Sequence, residues 1–175
     1  MLTLAIPAGL LALILRDHGS SGPDPAIVAP TRARIGSLAP DFVLPDLDGK
    51  PLRLSSLRGR VVVLTFFASW CHPCEEDMPI LERTQRDNGS RIAVVGVNYQ
   101  DIPGDTRDFV RRLGVTFPAL IEDSIENPVA TRYDVHAMPD TLFIDATGVV
   151  RARVYGQTNT HDLEAALSDL LRPTA

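Results

Sequence analysis

At 175 residues, with 45% apolar side chains and a net charge of -5, the chain has material for one hydrophobic core and hardly for two. Its 17 basic residues form a single adjacent pair, Arg111-Arg112, which reads as a solvated helix face and argues against a nucleic-acid surface. The only two cysteines, Cys71 and Cys74, are too close in sequence to staple distant segments, so they must serve locally.

The chain opens with an apolar stretch, Leu2 to Leu15, ended by Arg16-Asp17. As a helix its 14 residues would span about 21 Å, short of a hydrocarbon core of about 30 Å. Residues 1–16 are therefore read as a signal-anchor-like segment, uncleaved or truncated; a cleaved export signal and a buried soluble helix are the alternatives, the latter weakened by Pro7 and Gly9. Residues 17–37, with Gly19-Ser20-Ser21-Gly22, Pro23, Pro25 and Pro30, have the composition of a flexible linker. Together they predict a globular domain over 38–175, tethered to a membrane and working outside the cytoplasm.

Within that domain, Asp41 to Leu44 and Pro51 to Leu54 flank a turn-rich run and predict a β-hairpin, followed by a helical turn at Leu54 to Leu57. Val61 to Ala68 is a continuous apolar run rich in β-branched and aromatic residues, as a strand buried on both faces requires. It leads directly into Trp70-Cys71-His72-Pro73-Cys74, and a helix from about Cys74 to Asn88 follows with Pro79 as a kink. Ile92 to Val97 predicts a second buried strand, Asp105 to Leu113 a helix, Ala119 to Ile121 a short strand and Pro128 to Tyr133 a helical turn. Thr141 to Asp145 and Val149 to Tyr155 form strands around Ala146-Thr147-Gly148, and a last helix carries Leu163, Ala166, Leu167, Leu170 and Leu171 before Pro173. Strands alternating with helices and then a hairpin make an α/β sandwich with a mixed central sheet.

A bare Cys-x-x-Cys could be half of a zinc site, but no second cysteine pair supplies the remaining ligands. Its position between a buried strand and a helix favours redox chemistry, because free N–H groups and the positive dipole end of a helix stabilise a thiolate. Pro73 can occupy the first helical turn without loss of a needed donor.

These residues resemble the TlpA/ResA/CcmG group of thioredoxin-like proteins. The likeness covers about residues 38–172 and is carried by Ala39-Pro40-Asp41-Phe42, Leu54 to Gly59, Phe66 to Cys74 with Pro79, Gly96-Val97-Asn98, and Met138-Pro139-Asp140-Thr141 with Asp145 and Gly148. It implies a thioredoxin-like fold with an N-terminal hairpin, Cys71 as the exposed attacking cysteine, Cys74 as the buried resolving one, and Pro139 as a cis-proline facing them. The group often has Glu three residues after the second cysteine; Asp77 stands there, and at i+3 on a helix its carboxylate can move protons to and from Cys74. A plain first-turn acid is the alternative role for Asp77.

His72 as imidazolium would lower the thiolate pKa of Cys71, with Glu75 and Glu76 opposing it. Trp70, His72, Pro73, Met138 and Pro139 form the expected substrate-contact set. The expected activity is thiol-disulfide exchange through the Cys71-Cys74 pair, with no added cofactor and no metal. Two alternatives are a Cu(I)-binding chaperone using both thiols with His136 or Met138, and a thiol peroxidase. The latter lacks its Pro-x-x-x-Thr-x-x-Cys motif, since Leu64 and Ala68 stand at those places before Cys71. The expected partners are protein disulfides, with apocytochrome c or copper-site proteins as candidates, and a membrane thiol electron donor; the chain is expected to be a monomer. Asp140 and the run Val97 to Asp101 echo the CcmG branch.

Overall fold

The computed structural model describes residues 32–123 and 128–172. The apolar segment 1–16, linker residues 17–31 and Pro173 lie outside the described residues. Among the described residues no helix is long and apolar enough to cross a membrane.

The centre is a mixed sheet of five strands. Taking the strands in chain order, β1 (Val43–Pro45) and β2 (Pro51–Arg53) form a separate antiparallel hairpin. The central sheet contains β3 (Val61–Phe67), β4 (Ile92–Asn98), β5 (Ala119–Ile121), β6 (Asp140–Ile144) and β7 (Val150–Tyr155), in the order β5-β4-β3-β6-β7. β4 lies parallel to β3 and β5, and β6 antiparallel to β3 and β7. This is the thioredoxin-like arrangement expected, hairpin extension included.

β3 and β4 are buried at every residue, which is why they read as unbroken apolar runs rather than alternating ones. Alternation persists in where the side chains go. Val62, Leu64 and Phe66 join Ala93, Val95 and Val97 on one face, while Val61, Val63 and Phe67 join Ile92 and Val94 on the other. The second face is covered by α1 (His72–Asn88), α2 (Pro103–Arg112) and α4 (Thr160–Leu170), through Met78, Leu81, Phe109, Val110, Leu163 and Leu167. The first face is covered by the hairpin, the 3-10 turn Leu54–Leu57 and the short α3 (Val129–Arg132).

Three element starts differ by two residues from the sequence-based expectation, each for a local reason. α1 begins at His72 rather than Cys74, because Cys71 is its N-cap and Pro73 fits the first turn. α2 begins at Pro103 rather than Asp105 for the same reason, proline being suited to the first helical position. The first hairpin strand starts at Val43 rather than Asp41, whose carboxylate instead accepts bonds from the backbone N–H (2.9 Å) and hydroxyl (2.8 Å) of Ser55.

The end of the expected linker is also engaged with the domain. Ala33 is buried and its N–H donates to the Arg132 carbonyl, Gly36 N–H donates to Val150, and Leu38 bridges to Val149. Among the described residues, backbone contacts with the domain thus reach back to Ala33, before residue 38. Further on, Asp46 bridges to Leu120 of β5, so the extension touches both outer strands of the sheet.

Tyr133 pins this extension to the core. It is fully buried, its ring lies 6.0 Å from Phe42 and 5.5 Å from Phe66, and its hydroxyl donates to the Pro40 carbonyl at 2.7 Å. Tyr133→Phe keeps the packing and strands that buried carbonyl, and should lower stability by about 1–2 kcal/mol. Urea unfolding should show an earlier midpoint at constant slope; an unmoved midpoint would mean the hydroxyl adds nothing.

Candidate active site

β3 delivers the chain to the start of α1, and the two cysteines sit at that junction, joined as a disulfide. Cys71 caps the helix: its Sγ accepts the Cys74 N–H at 3.3 Å, one of the donors that a first helical turn leaves unpaired. The sulfur that a thiolate would occupy is therefore already placed at a backbone donor and the positive end of a 17-residue helix. In this oxidised form Cys71 is 5% exposed and Cys74 fully buried, so Cys71 is the more accessible of the two but not the exposed residue that the resemblance implied.

Trp70 is 62% exposed, and its indole N–H donates to the Gln100 carbonyl at 3.1 Å. Pro73 occupies the first turn of α1. His72 projects into solvent, with Nδ1 3.9 Å from Glu75 and Nε2 4.0 Å from Glu76, so two carboxylates face the imidazole that was expected to act on Cys71. Glu75 is in turn paired with Arg112, and Glu76 accepts from Gln157.

The Met138-Pro139 bond is cis, as the resemblance implied. Met138 packs into the apolar cluster that contains both cysteines, whereas His136 is exposed with Nε2 3.3 Å from Asp134. Among the described residues no group of three or more His, Cys, Asp and Glu side chains is arranged to hold a metal ion.

Asp77 lies one turn beyond Cys74 and is fully buried. Both its oxygens accept from the Thr158 N–H, at 3.0 and 3.1 Å. Burial pushes its pKa up to about 6, outweighing the Thr158 hydrogen bonds that pull it down. A buried carboxyl one turn beyond Cys74, with its pKa raised toward neutrality, is suited to proton transfer.

Asp140, the acid directly after Pro139, is buried. Its side chain is 1% exposed and forms a bidentate pair with Arg153, itself 7% exposed, with one contact at 2.8 Å from Nε to Oδ1. Arg153 also donates to the Asp134 carbonyl at 3.0 Å and lies 4.5 Å from the Tyr155 ring centroid, so it braces both ends of the loop 134–140 from behind. Nothing in the sequence marked Arg153, because its partner is set by strand register: Asp140 stands opposite Tyr155 on β7. Thr158 and Asp101 were missed for the same reason, each being defined by a contact from a distant element.

The AhpC/TSA family profile matches residues 35–153, more than half of the chain. Thiol-disulfide oxidoreductase ResA of Geobacillus kaustophilus is 36% identical over 143 residues, covering 80% of this chain and 80% of the relative. The chain belongs to the AhpC/TSA family, as a ResA-like thiol-disulfide oxidoreductase. ResA of Bacillus subtilis is 30% identical over 171 residues, covering 97% of this chain and 94% of the relative. Among solved structures, a Chlorobium tepidum protein described as thiol:disulfide interchange protein DsbE superposes with a TM-score of 0.73 at 30% identity, covering 80% of this chain and 99% of that one. The ResA-like assignment agrees with the absent peroxidase motif and with a Cys71-Cys74 pair closed on itself as a disulfide.

Two measurements on this ResA-like protein follow from its buried acids. Arg153→Met leaves the Asp140 charge buried without a partner and should cost about 3–5 kcal/mol, most of it recovered when Asp140→Leu is added. Denaturant midpoints of the single and double variants decide this; equal destabilisation of both would mean that packing, not charge, is lost. For Asp77, the folded pKa of about 6 lies above the ordinary value of 3.8, so the native protein binds more protons than the unfolded chain between those pH values. Stability attributable to this group is therefore present at low pH and lost as pH rises through about 6. Asp77→Asn should flatten that decline and be the more stable protein at pH 7, by up to about 3 kcal/mol. Parallel pH profiles for the two proteins would refute the shift.

Proposed function

We propose that the protein is an extracytoplasmic, membrane-tethered reductant of protein disulfides, with apocytochrome c as its leading substrate and copper-site cysteines of an oxidase assembly factor as the runner-up. The observation that carries this is the asymmetry of the pair: a helix-capping Cys71 with some access, a sealed Cys74, and a buried Asp77 titrating near neutrality one turn on.

In the reduced protein, the Cys71 thiolate attacks one sulfur of a substrate disulfide. A mixed disulfide forms, and the other substrate sulfur leaves as a thiolate. Cys74 then gives up its proton, with the Asp77 carboxylate as acceptor, and attacks the Cys71 sulfur. The second substrate thiol is released and the Cys71-Cys74 disulfide closes, so two electrons have passed from protein to substrate. Trp70, His72 and Pro73 flank the cysteines in sequence, Met138 packs against their cluster and Pro139 follows it through the cis bond; these five are assigned to substrate contact. A membrane thiol carrier returns the electrons, and the protein acts as a monomer.

Compartment supports the direction of flow. Outside the cytoplasm structural disulfides are made by oxidants, whereas haem and copper attachment need cysteines kept reduced. The apolar segment 1–16 supports the location, and the alignment with Bacillus subtilis ResA, reaching over 97% of this chain, extends into that segment.

Cys74→Ser blocks the second step and should leave the protein substrate covalently held on Cys71, identifiable by mass spectrometry after non-reducing isolation. Deleting the gene should lower covalent c-type haem, with rescue by an added thiol reductant. Normal haem attachment and oxidase activity, together with scrambled disulfides in other exported proteins, would instead identify an oxidant or isomerase.

A further inference from the structure

The loop that presents Cys71 has little burial to hold it. Ser69 is half-buried and Trp70 exposed, and the loop beside it, Gln100 to Ile102, is exposed apart from the half-buried Asp101. What joins the two loops is polar. Asp101 Oδ2 accepts from the Ser69 N–H at 2.6 Å, Asn98 Nδ2 at 2.9 Å and the Thr106 hydroxyl at 3.1 Å. Asp101 Oδ1 accepts from the Ser69 hydroxyl at 2.9 Å and the Ile102 N–H at 2.8 Å. One carboxylate thus gathers the approach to Cys71, the end of β4 and the start of α2.

Every one of these partners is a donor, a demand that an acceptor-only group satisfies and an amide does not. Although burial alone would raise the Asp101 pKa, the hydrogen bonds led by Ser69 outweigh it and hold the carboxyl below its usual range, so it stays ionised. The residue before it, Gln100, has φ of +54°, a conformation uncommon for a side chain of this kind. That backbone turns the Gln100 carbonyl to the Trp70 indole. Both anchors of the Trp70 segment, Ser69 and the indole, therefore run to adjacent residues of the loop after β4.

We infer that Asp101 is a positioning residue for disulfide exchange: it clasps the segment Ser69-Trp70-Cys71 to the loop after β4, fixing the backbone and indole surface on which a substrate docks. This deepens the function proposed above and rests on Cys71 as the attacking sulfur and Trp70 as a contact. The clasp touches neither sulfur, and the Cys71 cap on the Cys74 N–H is independent of it. Its loss should weaken docking while leaving the redox balance of the pair in place.

The test uses the reduced protein in single turnovers against a synthetic oxidised peptide carrying Cys-x-x-Cys-His, followed through Trp70, the only tryptophan in the chain. Asp101→Asn should raise the half-saturating peptide concentration about fivefold, the size of one net hydrogen bond, and leave the limiting rate within about twofold. It should also shift Trp70 emission and leave the reduction potential unchanged. Ser69→Ala should act in the same direction and less strongly, because it removes one bond on the motif side of the carboxylate. Thr106→Val removes a bond on the α2 side and should leave both half-saturation and emission at wild-type values.

A folded Asp101→Asn protein with wild-type half-saturation and emission would overturn the inference. So would Thr106→Val reproducing the Ser69→Ala change, since that would mean general loosening. If Asp101→Asn does not fold, the contrast between Ser69→Ala and Thr106→Val decides. If the wild-type protein leaves the peptide oxidised, the substrate assignment fails, and the Trp70 emission of the same variants still decides for or against the clasp.

Discussion

The burial of β3 on both faces is the constraint from which the site follows. Seven consecutive residues have no exposure to speak of, so the strand cannot slide or end early without exposing apolar side chains. Its end is therefore a fixed point. There the chain must satisfy the unpaired donors of a starting helix, and it does so with a sulfur. The reactive atom is placed by the same packing that stabilises the fold, and its surroundings need only adjust access and charge.

Charge around that fixed point is handled in three ways according to burial. At the surface, His72, Glu75 and Glu76 form loose contacts close to 4 Å that solvent screens. Behind the loop 134–140, Asp140 and Arg153 are removed from solvent as a matched pair, giving a rigid support rather than a reactive acid. Asp77 accepts from the Thr158 N–H and, among the described residues, pairs with no cation, and so keeps a proton to a higher pH than an ordinary aspartate. These four acids thus differ in role because they differ in partner.

Much of this was visible in the sequence. Unbroken runs such as Val61 to Ala68 announced buried strands, and the succession of strand, Cys-x-x-Cys and helix announced the redox site, because both signals are local. The helix starts at His72 and Pro103 were missed by two residues each, since a proline in a first turn reads as a break before it reads as a beginning. The roles of Asp140, Arg153, Thr158 and Asp101 could not be found in the same way. Each depends on a contact across 13 to 81 positions or on a loop conformation, and residue type alone gives no hint of the partner. Asp140 shows this: the sequence places an acid directly after Pro139, and only strand register reveals that it is buried against Arg153.

The N-terminal extension has a consequence for how copies of this protein coexist. A sheet with outer strands presents unpaired backbone groups, which invite pairing with another chain. Here one stretch of polypeptide reaches both sides, with Leu38 bridged to Val149 beside β7 and Asp46 bridged to Leu120 on β5. Gly36 and Ser37 add hydrogen bonds to Val150, and the exposed Arg151 follows on the same strand. The extension thus works as a border along the sheet, occupying backbone positions through which neighbouring molecules could otherwise zip together. The edge positions at Val149, Val150 and Leu120 are thereby paired within the chain and are not open to a strand of another copy.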